Sequence, residues 1–151
     1  MVLEHKLDCA FVGGEVEHPD LISIEISRET LVLAHAKDAG CDELPLILFR
    51  EGCVYRARAL EWQREQGNQL REVMEFGSLD AILGCVAIGL GCTLMPNWVI
   101  EGSRHRSKLQ VEKISAHLSH LPTVMIRHRQ AIPLKDFETL QGATEQKDSI
   151  R

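Results

Sequence analysis

The sequence lacks any long apolar run. A membrane-spanning helix needs about 20 consecutive apolar residues, and no segment approaches that length. The first residues, MVLEHKLDCAFVGG, also lack the apolar core that follows the basic start of a secretory signal. These absences predict a cytoplasmic protein without membrane contact.

The cysteines lack the CxxC spacing that is typical of metal-binding and thiol-disulfide sites. Five cysteines occur, at Cys9, Cys41, Cys53, Cys85 and Cys92. This odd, scattered set fits reduced thiols in a cytosolic protein better than a disulfide framework. We expect most of them to be small core residues.

Catalytic motifs are missing as well: there is no GxSxG elbow, no HExxH zinc motif and no phosphate-binding P-loop. His117 and His120 have a spacing that could bind a metal on a helix. On a strand, where we place them, the two side chains point to opposite faces. The sequence therefore predicts no metal, no cofactor and no enzyme, with a small enzyme kept as an alternative.

Positive charge is in the minority, with 17 Lys and Arg against 22 Asp and Glu and a net charge of -5. Binding DNA through the field of the chain requires clustered cations that neutralise phosphates. The two RHR clusters, at residues 104–106 and 127–129, could bind phosphate, but arginines in the loops of an acidic chain are more typically solvated. We expect no specific DNA binding by these residues.

The clearest pattern lies in residues 76–96, FGSLDAILGCVAIGLGCTLMP. Its apolar residues recur at three- and four-residue steps, which predicts a buried helix; they are Leu79, Ile82, Leu83, Val86, Ala87 and Leu90. Ser78 stands where a side-chain oxygen caps a helix. Gly89 and Gly91 are expected to end the helix with positive φ, before a core strand at residues 92–95.

With 44% apolar residues, the chain can form a packed core. Predicted strands are 7–12, 21–26, 31–36, 46–49, 70–76, 111–118 and 123–126; predicted helical segments are 54–66, 98–101 and 134–140, before a frayed tail at 142–151. On the helix at 54–66, Val54, Ala57 and Leu60 are expected to form one apolar side, with Tyr55, Ala59 and Trp62 beside them. Its charged residues are expected to form a solvated face or, alternatively, a subunit contact: Arg56, Arg58, Glu61, Arg64 and Glu65.

Three segments in order, LDCAFVGGEVEHPDL, LILFREGCVYRARALEWQREQG and GSLDAILGCVAIGLGCTLMP, resemble the effector-binding (substrate-binding) domain of LysR-type transcriptional regulators. The resemblance covers roughly residues 3–100. It implies an α/β, type 2 periplasmic-binding-protein-like fold of two lobes, with the second lobe complete at residues 30–102. Residues 1–29 and 103–151 would be an N-terminally truncated remnant of the first lobe. The helix-turn-helix domain that binds DNA in this family would lie before this chain.

Two strand-to-helix junctions stand out, at residues 49–53 and 75–78. Each offers free backbone N–H groups at a positive helix end, which predicts an anion site. The resemblance implies that they line an inter-lobe cleft for a small-molecule effector, through Phe49, Glu51, Gly52, Cys53, Gly77 and Ser78. The positive helix ends favour a carboxylate as the effector. The negative charge of Glu51 disfavours a simple carboxylate and favours an amino group, so an amino acid is the other possible effector. Alternatively, the glycines only permit turns and Ser78 only caps a helix.

The resemblance implies that the effector acts by shifting lobe or subunit geometry. An alternative is a redox sensor using Cys53, near Arg50 and Arg56, where a thiolate would be stabilised. Peroxide sensors of the family carry their reactive cysteine one position later, where this chain has Val54. The strands at 7–12, 21–26 and 123–126 are also expected to lack sheet neighbours, which predicts self-association with another copy of the chain.

Overall fold

The structure is a computed structural model that describes residues 2–4, 6–67 and 71–131. The predicted helix at 134–140, the predicted tail and the beginning of the strand predicted at 70–76 lie outside these residues. The chain divides into two compact units, Met1–Arg28 with Leu121–Arg151 (the first unit) and Glu29–His120 (the second unit). Residues 103–120 therefore belong to the second unit, whereas the sequence prediction assigned them to the first lobe.

Seven strands and four α-helices are formed by the described residues. In chain order they are β1 Cys9–Gly13, β2 Leu21–Ala36, β3 Leu46–Leu48, α1 Val54–Glu65, β4 Val73–Glu75, α2 Leu79–Ala87, β5 Thr93–Pro96, α3 Asn97–Glu101, β6 Leu109–Lys113, α4 Ala116–Ser119 and β7 His120–His128, with a 3-10 turn at Arg106–Lys108 before β6. None of the helices in the described part of the chain is long and apolar enough to cross a membrane.

The two strands predicted at 21–26 and 31–36 are one continuous strand, β2, of 16 residues. The prediction broke the strand at its polar middle, where Ser27, Arg28 and Thr30 are exposed. A strand can stay extended while such side chains face solvent, and the Arg28 guanidinium donates two hydrogen bonds of 2.9 Å to the Glu25 carboxylate. The two apolar patterns belong to one strand whose surroundings change from half-buried to fully buried.

The first unit contains β1, β7 and the beginning of β2, in the order β1-β7-β2. β1 is antiparallel to β7, with Cys9 opposite Arg127 and Gly13 opposite Thr123. The core of the unit is formed by Val2, Leu21, Val124 and Ile126. The three strands expected to lack neighbours therefore pair with one another, and among the described strands β1 lies at the edge of the sheet.

The second unit is built around the end of β2, which pairs antiparallel with both β5 and β6. β3 and β4 form a separate parallel pair. Nine buried residues form the main core: Val32, Ala34, Ile47, Ile82, Leu83, Val86, Met95, Ile100 and Leu109. Three of them come from α2, which confirms that the segment with the clearest pattern is a buried helix.

Details of the predicted helix at 79–90 differ from the structure. α2 ends at Ala87, and Leu90 lies beyond it and is 46% exposed. Gly89 has the expected positive φ of 84°, but Gly91 does not have a positive φ. A Cβ on Gly91 would instead lie 2.5 Å from the Pro45 carbonyl oxygen. Gly91 is needed for close packing, not for a turn.

Two further predictions about secondary structure are wrong. The strand predicted at 111–118 ends at Lys113 because α4 begins at Ala116. On α1, Ala57 is exposed, and the buried side chains are those of Ala59, Trp62 and Gln63. The repeat of small and apolar residues identified the helix, and Ala59 and Trp62, expected beside its apolar side, are buried, whereas Ala57 of that side is not.

His35, which is 5% exposed on β2, is bonded through both ring nitrogens. Nδ1 lies 2.8 Å from the Ala36 carbonyl oxygen and 2.6 Å from that of Ala39, and Nε2 lies 2.9 Å from the Glu112 carboxylate. Only a doubly protonated ring donates to all of these acceptors. Burial lowers the pKa of His35, but these hydrogen bonds outweigh it and raise the pKa above its ordinary value.

We expect His35 to make folding stability depend on pH. Its folded-state pKa is raised, so its contribution is complete below the unfolded pKa of about 6.5 and is lost as pH rises through the folded-state pKa. Urea unfolding at a series of pH values should show stability falling over this window. His35→Gln should remove that part of the slope, whereas His18→Gln, at an exposed position, should keep it; equal slopes in both variants would contradict the assignment.

Candidate functional site

Parallel pairing of β3 and β4 places the two predicted junctions side by side. Leu48 lies opposite Glu75 in the pair, and the Phe76 N–H donates to the Leu48 carbonyl oxygen at 3.0 Å. Strands that run in the same direction end at the same edge of the sheet, so α1 and α2 both begin at this edge. The sequence prediction that these two junctions belong to one region of the fold agrees with this geometry.

A shallow depression of about 470 Å³, which we call the junction pocket, lies at this edge. It is lined by Phe49, Arg50, Cys53, Tyr55 and Gly77. Three of the six predicted effector-binding residues therefore lie together around one pocket.

The other three predicted residues do not line the junction pocket. Glu51 and Gly52 are exposed. The φ of Gly52 is 89°, a backbone conformation that glycine adopts readily, so the turn accounts for a glycine at this position. Ser78 is exposed, and its hydroxyl accepts a hydrogen bond of 3.2 Å from the Ala81 N–H. At Gly52 and Ser78 the geometry matches the alternative reading of a turn and a helix cap.

We expect Ser78→Ala to lower the free energy of unfolding by about 1 kcal/mol, the usual effect of removing an N-cap side chain. Thermal or urea unfolding measures the loss. Ser107→Ala, at another exposed serine, is the control and should change stability by less than about 0.5 kcal/mol. An unchanged stability of Ser78→Ala would show that the cap contributes nothing.

The start of α1, in contrast, has no side-chain cap. Cys53 is its N-cap residue and makes no side-chain capping hydrogen bond. The first N–H groups of a helix have no partner within the helix, and they carry its positive dipole end. Since Cys53 and Tyr55 line the junction pocket, this positive end lies at the pocket. Arg50 adds a full positive charge there.

Arg56 connects the two junctions. Its guanidinium donates to the Phe49 carbonyl oxygen at 2.9 Å and forms an ion pair of 2.9 Å with the Glu75 carboxylate. The Arg56 side chain is 13% exposed. The prediction of a solvated face is therefore wrong for Arg56, because a long side chain on that face reaches back over the end of β3.

Tyr55 connects the junction pocket to β2. Its hydroxyl donates to the Glu29 carboxylate at 2.9 Å, and the Trp98 indole N–H donates to the same carboxylate at 3.0 Å. Burial, followed by the bond to Glu29, raises the pKa of Tyr55 above its ordinary range. The sequence analysis considered Arg50 and Arg56 only as charges near Cys53 and did not assign Tyr55 to the site. The available signal was a tyrosine and two arginines flanking the first turn of α1.

The predicted placement of His117 and His120 on one strand is wrong. His117 lies on α4 with its Nε2 2.6 Å from the Glu65 carboxylate, and His120 begins β7. Within residues 2–4, 6–67 and 71–131, no group of three or more His, Cys, Asp or Glu side chains is arranged to hold a metal ion.

The arginines of the two RHR clusters have protein partners. Arg104 pairs with Asp80, and Arg106 pairs with Glu101 at 2.9 Å. Arg127 donates to the Ala131 carbonyl oxygen, and Arg129 donates to that of Pro19. The clusters are therefore used in local contacts, and the expectation that they are only solvated is incomplete.

A second depression in the second unit, which we call the strand pocket, has a volume of about 570 Å³. Its lining comes from β2, β6 and the residues around α4, including Thr30, Glu112, Lys113 and His120. The backbone groups of its strands are used in pairing, and Glu112 and Lys113 carry opposite charges. The strand pocket is larger than the junction pocket, and its lining includes Asn97 and Ala116, the first residues of the short helices α3 and α4. Its lining has no excess of positive charge, because Lys113 is offset by Glu112.

The strands and helices described above form a domain of α/β, periplasmic-binding-protein-like architecture. Residues 1–143 match the family "LysR substrate binding domain", and the chain belongs to this family. It is 38% identical over 153 residues to the HTH-type transcriptional regulator SoxR of Arthrobacter sp., covering 95% of this chain and 53% of that protein. The chain thus spans about half the length of this relative, which is a transcriptional regulator.

Solved structures agree on the fold. The regulatory domain of CcmR from Synechocystis, solved in complex with 2-PG, matches 96% of this chain and 75% of that one with a TM-score of 0.76 and 16% identity. A variant of the OxyR2 regulatory domain from Vibrio vulnificus, in its sulfate-bound form, matches 96% and 74% with a TM-score of 0.75 and 15% identity. The predicted fold class and family are confirmed.

Proposed function

We propose that this chain is the ligand-sensing part of a LysR-type transcriptional regulator and that the junction pocket binds a small anionic metabolite. The observation that carries the proposal is the uncapped start of α1 beside Arg50 in one pocket. Both features favour negative charge. Two solved relatives of the same fold hold 2-PG and sulfate, which supports an anion as the ligand class.

A carboxylate or phosphorylated acid fits the junction pocket better than an amine. Glu51, whose charge favoured an amino group in the sequence analysis, does not line the pocket, whereas Arg50 does. An exposed helix start contributes about 0.3 to 1 kcal/mol and a charge-assisted hydrogen bond about 1.5 to 3. These terms amount to roughly 2 to 4 kcal/mol, so with contact to the ring of Phe49 they support dissociation constants of about 1 mM, which correspond to about 4.1 kcal/mol.

The ligand signal would travel through two contacts of α1. Arg56 joins the ends of β3 and β4, so a ligand that moves one junction also moves the other. Tyr55 is bonded to Glu29 on β2, a strand that continues from the first unit into the second. We propose that a ligand displacing Tyr55 acts on β2 and thereby shifts lobe or subunit geometry.

A thermal-shift screen of small carboxylates, amino acids, 2-PG and sulfate tests the ligand class. Ligand at about 100 times its dissociation constant adds roughly 2.7 kcal/mol, which corresponds to a melting shift of about 5 to 10 °C. Arg50→Gln should weaken binding of the best anion about tenfold or more, because it removes a charge-assisted bond. Arg64→Gln, at an exposed arginine at the end of α1, should bind like the parent protein.

Two outcomes of the screen would count against the proposal. Stabilisation by amines but not by anions would show that the polarity of the pocket has been assigned wrongly. Binding that is equally strong in the Arg50→Gln and Arg64→Gln variants would place the ligand elsewhere.

Self-association and a cytoplasmic location also belong to this proposal. β1 is an edge strand on which Phe11 is 55% exposed, and such edges pair readily with another chain. We propose that a second copy of the chain covers this edge. We also propose that DNA is contacted through a helix-turn-helix domain, because the 151 residues carry a net charge of -5, which disfavours contact with phosphates. Light scattering over a dilution series should show a dimer that dissociates; a monomer at every concentration would contradict self-association.

A further inference from the structure

Cys41 and Cys92 both lie next to Arg71, a partly buried arginine in the second unit that does not line the junction pocket. Cys41 is 7% exposed and Cys92 is fully buried. The Nη1 atom of Arg71 lies 3.4 Å from the Cys41 sulfur and 3.7 Å from the Cys92 sulfur, within hydrogen-bond reach of both. The sequence analysis treated both cysteines as small core residues, which does not account for a shared cation.

Arg71 is held in place by its other contacts. Nη1 also donates to the Cys41 carbonyl oxygen at 2.6 Å, and the guanidinium lies 5.2 Å from the centroid of the Trp62 ring. Within the part of the chain that the structure describes, no carboxylate forms an ion pair with Arg71. A fixed guanidinium next to two sulfurs is suited to stabilise a thiolate, and it disfavours a metal cation at the same place.

The two thiols differ in acidity. The interaction of Cys41 with the Cys92 thiol, together with the hydrogen bond and charge of Arg71, outweighs burial and lowers the pKa of Cys41 to about 7. The interaction with Cys41, with burial, raises the pKa of Cys92, whose thiol donates to the Pro45 carbonyl oxygen at 3.8 Å. Cys41 is therefore the nucleophile of the pair, and Cys92 stays a thiol.

We propose that Cys41 and Cys92 form a thiol redox pair, in which Arg71 stabilises the Cys41 thiolate and a small hydroperoxide converts the pair to a disulfide. The Cys41 sulfur attacks the peroxide; an S–O bond forms, the O–O bond breaks, and the alkoxide or hydroxide takes up a proton and leaves. The Cys92 sulfur then attacks the Cys41 sulfenic acid; the S–S bond forms, the S–O bond breaks, and water leaves. Two thiols are oxidised and one peroxide is reduced.

The position of the pair limits the oxidant and suggests an effect. Burial of both cysteines excludes a bulky disulfide such as oxidised glutathione, so the oxidant proposed is hydrogen peroxide or a small organic hydroperoxide. The new bond would tie the loop before β3 to the residue before β5. It would therefore lock the packing of the second unit without using Cys53, the residue singled out by the sequence.

The direct test is peptide mapping of the 151-residue protein after treatment with hydrogen peroxide, with free thiols alkylated under denaturing conditions. We expect one linked peptide pair containing Cys41 and Cys92, lighter by two hydrogen atoms and reversed by dithiothreitol. Cys53→Ser should give the same linked pair. Recovery of Cys41 and Cys92 as free thiols, or pairing of either with another cysteine, would overturn the proposal.

The role of Arg71 is tested by the rate of Cys41 alkylation against pH. In the parent protein the rate should be half-maximal near pH 7; a midpoint at the ordinary thiol value of about 8.5 would overturn the assignment of Cys41 as the nucleophile. Arg71→Gln should slow alkylation at neutral pH by roughly tenfold, since less thiolate is present. Arg64→Gln should leave the rate unchanged. The measurement on the parent protein stands even if Arg71→Gln does not fold.

Discussion

Replacing Arg56 by methionine is expected to abolish anion binding at the junction pocket and to lower the free energy of unfolding by about 2 kcal/mol. Methionine keeps part of the apolar stem but removes the bond to the Phe49 carbonyl oxygen and the ion pair with Glu75. Hydrogen bonds that involve a charged group contribute about 1.5 to 3 kcal/mol. Glu75 is 44% exposed, so solvent screening keeps the loss below that of a fully buried pair.

The matched control for Arg56→Met is Arg64→Met, which removes the same charge from an exposed position of the same helix. Its stability should change by less than about 1 kcal/mol, and its ligand affinity should not change. Urea unfolding and the melting shift with the best anion of the screen measure both quantities. If Arg56→Met binds as tightly as Arg64→Met, Arg56 does not hold the two junctions together.

Replacing Gly91 by alanine is expected to lower the free energy of unfolding by about 1 to 3 kcal/mol, the usual cost of overpacking a core. The added methyl group would lie 2.5 Å from the Pro45 carbonyl oxygen and 2.7 Å from Cγ1 of Ile47. That carbonyl cannot move freely, because it accepts a hydrogen bond of 3.0 Å from the Cys92 N–H. Ile47 is fully buried and has little room to adjust.

Gly40→Ala is the control for Gly91→Ala. A Cβ at Gly40 would meet no atom within 4 Å, and Gly40 does not have a positive φ. This variant should be neutral or slightly stabilising, because alanine reduces the freedom of the unfolded chain. Thermal unfolding of both variants measures the difference; equal melting temperatures would show that β3 yields to the added methyl group.

Local patterns predicted most of the helices and strands in the second unit. The sequence indicated α1 and α2 through their apolar repeats, and Ser78 and Gly89 mark the ends of α2 as expected. The errors lie where tertiary contacts decide the outcome. β2 continues through polar residues because its neighbours keep it extended, and α4 replaces a predicted strand in a segment of weak periodicity.

The candidate site could be predicted only in part, because tertiary contacts also decide which residues line it. A strand that ends in a glycine-containing turn is visible in the sequence, so Phe49, Cys53 and Gly77 could be found. Parallel pairing of β3 and β4 decides which junction residues face the pocket, and no local pattern contains that pairing. The reach of Arg56 and the bond from Tyr55 to Glu29 join residues distant in the chain, so the sequence alone could not supply them.

The most direct test of the central claim is an NMR titration of the isotopically labelled chain with the anion that raises its melting temperature most. We predict that the largest amide shift changes occur at the residues that line the junction pocket, which are Phe49, Arg50, Cys53, Tyr55 and Gly77. Changes concentrated instead at residues 30–32 and 111–116, which line the strand pocket, would contradict the proposed site.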